Sequence, residues 1–150
     1  MFFCKKLPAA GRAGKAQGLY NPNIMAKTII LAMLRLPVAQ GLAHKLRKDS
    51  GANVIIESEY SKVISLAQDN SADSVLIEVS ESGKYDAEFC LELCNGLRGS
   101  APDCRRVIMC PETDELCVFE AVEALRDGMI DDFLFYDGSI DYLASKLLAK

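Results

Sequence analysis

Five short runs of largely apolar residues, each followed by a stretch with apolar residues at helical spacing, constrain this chain more than any other feature. The runs are 28–34 (TIILAML), 53–57 (NVIIE), the core of 72–82 (ADSVLIEVSES), 106–110 (RVIMC) and 132–136 (DFLFY). Strand followed by helix, five times over, calls for a parallel sheet with right-handed crossovers and helices on both faces. The third run is the centre of the pattern. Val75, Leu76, Ile77 and Val79 have turn-type residues on both sides, so they read as a strand buried on both faces. Glu78 interrupts that run near its carboxyl end, the edge where open α/β sheets place their sites.

The intervening stretches carry helix signals. Pro37 suits a first turn, Val38, Leu42 and Leu46 form an apolar stripe, and Gly51 marks a stop. Ser58 is the expected cap of a second helix running to about Asn70, with Tyr60, Val63, Ile64 and Ala67 inward. Asp86 is a plausible cap for a third helix built on Cys90, Leu93 and Leu97. Thr113 is the expected cap of a fourth, with Asp114 and Glu115 in its first turn, and Ile140, Leu143, Ala144 and Leu147 build a fifth.

At 150 residues the chain is large enough for one domain with its own core. The net charge of −4 hides a division: residues 1–48 contain no Asp or Glu and nine Lys or Arg, whereas all 21 acids follow. Residues 1–24 show no sustained periodicity and read as a flexible basic extension, with residues 25–150 the folded domain and Met25 a candidate biological start. A nucleic-acid-binding arm is the lesser reading, because four cations are spread over those 24 residues. No apolar run approaches the roughly 20 residues of a membrane helix, and no h-region marks a secretory signal. Six cysteines lie mostly within apolar patterns and are expected as reduced core thiols of a cytoplasmic protein. Cys90-x3-Cys94 with one distant His fits no zinc spacing, and His44 reads as a solvated helix residue. No metal or cofactor is expected.

From Lys27 to the end the chain resembles the receiver domain of bacterial response regulators. The likeness rests on Asp73-x-Val-Leu-Ile-Glu78, on Val107-Ile108-Met109, and on Gly128 followed by Asp131-Asp132-Phe133-Leu134. It implies a flavodoxin-like (βα)5 doubly wound parallel sheet, three layers α/β/α, strand order 2-1-3-4-5. The family's chemistry uses an Asp phosphoacceptor on the third strand, two acids after the first strand that hold Mg²⁺, a hydroxyl after the fourth and a Lys after the fifth. Here the acceptor position is Glu78, the acid pair falls on Ala32 and Met33, the hydroxyl position on Pro111 and the Lys position on Tyr136. The resemblance therefore implies a stand-alone pseudo-receiver, not an enzyme, that acts by protein–protein interaction without aspartyl phosphorylation.

Glu78 has two readings. It is a structural carboxylate, solvated or bonded to backbone N–H groups, or it mimics a phosphorylated Asp, with Phe133 in the family's aromatic-switch position. Glu57, Glu81 and Glu112 are candidates to cluster near it and raise its pKa. The implied partners are other signalling proteins, such as a histidine kinase, a regulator or an output protein. A homodimer through the fourth helix, fifth strand and fifth helix is also implied, with Leu116, Phe119, Glu120, Glu123, Phe135, Tyr136 and Tyr142 as candidate face. Core placement of Phe119 and Phe135 is the competing reading. The uneven charge adds a head-to-tail dipole as a further expectation. A phosphorylatable receiver with an atypical Mg²⁺-binding carboxylate set, and a small flavodoxin-like ligand-binding domain, are the alternatives.

Overall fold

The computed structural model describes residues 26–149. The expectations for residues 1–24, for Met25 and for Cys4 lie outside them. Five strands alternate with five helices: β1 Thr28–Ala32, α1 Leu36–Ser50, β2 Asn53–Glu57, α2 Val63–Asp69, β3 Ser74–Glu78, α3 Ala87–Ser100, β4 Arg105–Cys110, α4 Glu115–Arg126, β5 Asp132–Phe135 and α5 Ile140–Leu148. A 3-10 turn, Tyr60–Lys62, leads into α2. The strands form one parallel sheet in the order β2-β1-β3-β4-β5, as the flavodoxin-like reading requires.

Alternate residues of each strand feed two separate cores. On one face Ile29, Leu31, Leu76, Val107, Met109 and Leu134 pack with Leu42 and Leu46 of α1 and Leu143 and Leu147 of α5. On the other, Ile30, Val75, Ile77, Ile108 and Cys110 meet Val63, Cys94, Leu97 and Ala121 from α2, α3 and α4. β1 and β3 are buried at every position, which is why both read as continuous apolar runs.

Local signals explain most helix ends. Asp86 accepts from Phe89 N–H at 2.9 Å and Ser139 from Tyr142 N–H at 3.1 Å, each satisfying a donor that the first turn leaves free. Gly51 ends α1 at φ 69°, a conformation that penalises any residue with a Cβ. Two expected caps are corrected. Asp114, not Thr113, caps α4 by accepting from Cys117 N–H at 3.1 Å, because its own N–H is turned back onto the Pro111 carbonyl. Ser58 caps nothing: the chain enters α2 through the 3-10 turn, which carries Tyr60 inward beneath β3. β1 is also two residues shorter than its apolar run, since Leu34 turns out to solvent.

All five described thiols are buried. Burial pushes Cys104 up to about 11 and Cys94 up to about 12, and it raises Cys90 and Tyr60 beyond them. In the unfolded chain these groups ionise from about pH 9 (thiols) and pH 10 (phenols). A folded pKa raised above the unfolded value means the native state holds more protons there, so stability is intact below pH 9 and falls as pH rises through the window above it. Urea midpoints are expected to drop steadily from about pH 9 to about 10.5; a flat profile would show that these groups are not held protonated by the fold.

Candidate functional site

The candidate site lies at the carboxyl edge of the sheet, on the face covered by α1 and α5. Glu78 is the last residue of β3, paired in register with Met109. It is only 2% exposed. The chain surrounds its carboxylate with donors from the β1–α1 connection. Oε1 accepts the backbone N–H groups of Leu34 at 2.7 Å and Arg35 at 3.1 Å, and Oε2 accepts from Arg35 Nε in an ion pair. A buried carboxylate is tolerable when it is paired and hydrogen-bonded in this way.

Why the donors point there follows from the start of α1. Pro37 lies in the first turn, which tolerates its missing N–H. The helix has no side-chain cap and no acid in its first turn. Glu78, from a strand 43 residues away, is the anion at that end, where the helix dipole favours negative charge. The Arg35 guanidinium lies over the Tyr136 ring, 4.2 Å from its centroid, and its Nη2 reaches Met109 Sδ at 4.0 Å. Tyr136 in turn donates its hydroxyl to the Val79 carbonyl. Burial first, and the Glu78 charge second, raise the Tyr136 phenol, so Tyr136 stays a neutral donor. From the other face of the sheet, Tyr60 donates to the Glu78 carbonyl at 2.6 Å and stacks on Tyr85 at 3.9 Å between centroids.

The remaining expected positions fall as follows. Ala32 and Met33 are buried in opposite cores and carry no oxygen ligand. Pro111 follows β4 directly and offers no hydroxyl. Tyr136 sits at the Lys position, on the Arg35 guanidinium. Phe133 is half-buried on the α2–α4 side, edge-on to Phe135 at 5.8 Å, and so on the opposite face from Glu78. Of the acids expected near Glu78, Glu57 accepts from Glu59 N–H and Glu112 meets Asp137, whose shared hydrogen bond raises the Glu112 carboxyl, while the charge of Glu81 acts with that of Glu78 on the Tyr136 phenol. Arg35 is the site residue that sequence reading passed over. The signal for it was present: the first cation after β1, the strand adjacent to β3, in a segment without any acid to pair it locally.

The donor set does not suit a Mg²⁺ ion. Such an ion needs several oxygen ligands in near-octahedral array. The acid-pair positions are apolar, and both Glu78 oxygens already accept from N–H groups. Among the described residues no group of three or more His, Cys, Asp or Glu could hold a metal ion. Nor is any described helix long and apolar enough to cross a membrane.

The candidate face on α4 and its neighbours is largely exposed. Leu116 is 68%, Phe119 61% and Tyr142 45% exposed, so Phe119 is not core; Phe135 and Tyr136 are half-buried. Glu120 and Glu123 flank the apolar side chains, and Glu123 pairs with Arg126. α4 is inverted for a surface helix. It packs inward through Cys117, Ala121 and Ala124 and turns Leu116, Phe119, Val122 and Leu125 outward. The expected charge dipole is weakened on the α1 side, where Lys45 pairs with Asp49 at 3.0 Å and with Asp141 of α5 at 3.2 Å.

Solved structures share this fold. A response regulator receiver domain from Methanospirillum hungatei matches with a TM-score of 0.65 at 10% identity, over 82% of this chain and 91% of its own. The fold is that of a receiver domain. A DNA-binding response regulator of the LuxR family from Staphylococcus aureus aligns with a TM-score of 0.64 at 14% identity, covering 81% and 95% of the two chains. An adenylate cyclase from Rhodopirellula baltica aligns with a TM-score of 0.68 at 14% identity, covering 82% and 85%. No family model matches the sequence, and no curated protein matches it. The likeness to receivers is therefore one of fold.

Proposed function

We propose that this chain is a pseudo-receiver: a non-enzymatic, cytoplasmic signalling domain that works by protein–protein interaction and does not undergo acyl phosphorylation at Glu78. One observation carries the reading. The carboxylate at the acceptor position is held by Leu34 N–H, Arg35 N–H and the Arg35 guanidinium. The counter-charge of Glu78 is a side chain of the chain itself, the Arg35 guanidinium. Glu78 is thereby engaged without a phosphoryl donor, its lone pairs directed at donors and its approach covered by Arg35 and Tyr136. This favours the structural role for Glu78 over mimicry of a phosphorylated Asp. The mimic would use its outer charge to recruit a hydroxyl, and Pro111 supplies none.

The outward apolar side of α4, with β5 and Tyr142 of α5, is the surface this reading assigns to partners. Exposed Leu and Phe side chains grouped on one helix are the usual mark of an interaction site. Other signalling proteins, or a second copy of the chain, are the proposed occupants.

The test is incubation with Mg²⁺ and acetyl phosphate, followed by intact mass measurement and by tyrosine fluorescence during Mg²⁺ titration. The expected result is no mass gain of about 80 Da, the increment of one phosphoryl group, and no saturable metal response. An acid-stable, hydroxylamine-sensitive adduct on Glu78 would overturn the proposal and revive a phosphorylatable receiver. Sedimentation of the wild type against Phe119→Glu addresses the face: if a dimer forms there, the substitution shifts it to monomer.

A further inference from the structure

The outward side of α4 gathers more uncovered apolar surface than any other element. Among the described residues, Leu116, Phe119, Val122 and Leu125 make up half of the large hydrophobics that stand exposed. Phe119 lies in the middle of that side, about one turn from Leu116 and one from Val122. The same stretch is acidic. Residues 112–127 hold Glu112, Asp114, Glu115, Glu120, Glu123 and Asp127 against one cation, Arg126, which already pairs with Glu123 and Asp127. An apolar strip rimmed by acids fits an occupant that is both apolar and basic. A second copy of α4 brings the same acids to the contact, where like charges repel.

The chain contains an occupant of the right kind. Residues 1–25 have no Asp or Glu. Phe2, Phe3 and Leu7 bracket Lys5 and Lys6, and Arg12 and Lys15 follow. Residues 8–25 separate this cluster from β1 and include Gly11, Gly14 and Gly18. They join β1 at the amino edge of the sheet, the edge at which α4 ends and β5 starts. Only β3 lies between β1 and β4, so those two strands are about 10 Å apart. A Gly-rich linker of about 18 residues has an r.m.s. span of about 20–25 Å. The cluster therefore reaches α4 without being stretched.

We propose that residues 2–7 dock on the outward side of α4 of their own chain, with Phe2, Phe3 and Leu7 against the Phe119 strip and Lys5 and Lys6 towards its acids. The tether supplies a local concentration in the millimolar range, so contacts that are weak between separate molecules suffice. Docked there, the segment covers the surface assigned to partners, and a partner has to displace it. That consequence rests on the interaction reading above; the docking itself does not.

The experiment treats the full chain, as an equal mixture of heavy-isotope-labelled and unlabelled protein, with a water-soluble carbodiimide. The reagent joins a lysine amine to a carboxylate in contact with it, with loss of water, and digestion and mass spectrometry locate the links. The expected product joins Lys5 or Lys6 to Glu115, Glu120 or Glu123 within one chain. It should exceed links to the exposed acids Asp69, Glu88 and Glu92 of α2 and α3 by about five-fold or more. Replacing both aromatics, Phe2→Ser with Phe3→Ser, should remove that excess while leaving the lysines in place. Links spread evenly over all exposed acids, an excess that survives loss of the aromatics, or links that join a labelled chain to an unlabelled one would each overturn the proposal. Wild type carries the first comparison by itself, so the result does not hang on a variant that fails to fold. A phosphoryl adduct on Glu78 in the phosphodonor experiment would sink the pseudo-receiver reading and leave this result as it stands.

Discussion

Arg35→Met is expected to lower the unfolding free energy by about 3 kcal/mol near neutral pH, the low end for breaking one side of a buried ion pair. The reason is asymmetric exposure. Arg35 is 38% exposed and can be replaced by an apolar side chain that keeps contact with Tyr136 and Met109, whereas Glu78 is 2% exposed and would be left without a counter-charge. Two backbone N–H bonds remain to it, which is why the loss stays below the upper end of the range. Glu78→Gln keeps an oxygen for the same N–H groups and should cost about 2 kcal/mol. The double variant should be less destabilised than the sum of the singles by about 1–2 kcal/mol. Urea denaturation of the four proteins measures all of this. Additive losses would mean that the pair is not coupled in solution.

Tyr60→Ala should lower stability by about 4 kcal/mol, in the range for emptying a large aromatic from a core. Tyr60 is fully buried, is stacked parallel on Tyr85, and donates to the Glu78 carbonyl, while its own N–H donates to the Tyr85 hydroxyl at 3.2 Å. Tyr60→Phe keeps the stack and should lose only about 1–1.5 kcal/mol, the hydrogen bond to a buried carbonyl. The two variants separate packing from polar support of β3 at the site. Equal losses for both would place the whole effect on the hydroxyl, contrary to the packing argument. Because Tyr60 and Arg35 hold opposite sides of Glu78, their effects should not be independent.

Much of the fold was legible in the sequence because its signals are local. Val75 to Val79 reads as a doubly buried strand from its own composition, and the stripes of α1, α3 and α5 repeat within a few turns. The errors are local too, and have tertiary causes. Ser58 has the chemistry of a cap, but Tyr60 is drawn under β3 and leaves a tight turn in place of a regular first turn. Leu34 has the composition of strand, but its N–H is claimed by Glu78. For Phe119 the sequence left face and core both open, and the exposed placement follows because the inner side of α4 is already filled by Cys117, Ala121 and Ala124.

Local sequence determined five strands, five helices, the carboxyl-edge position of Glu78 and the apolar nature of residues 32, 33 and 111. Those properties follow from composition and spacing over fewer than ten residues. Only the tertiary structure decided what Glu78 does there, that Arg35 and two backbone N–H groups meet it, and that Tyr136 covers the guanidinium. Each of these joins residues from different elements. Charge and hydrogen-bond partners are chosen by proximity in the folded chain, where burial makes an unpaired group costly, and one sequence carries no periodicity that marks such pairs.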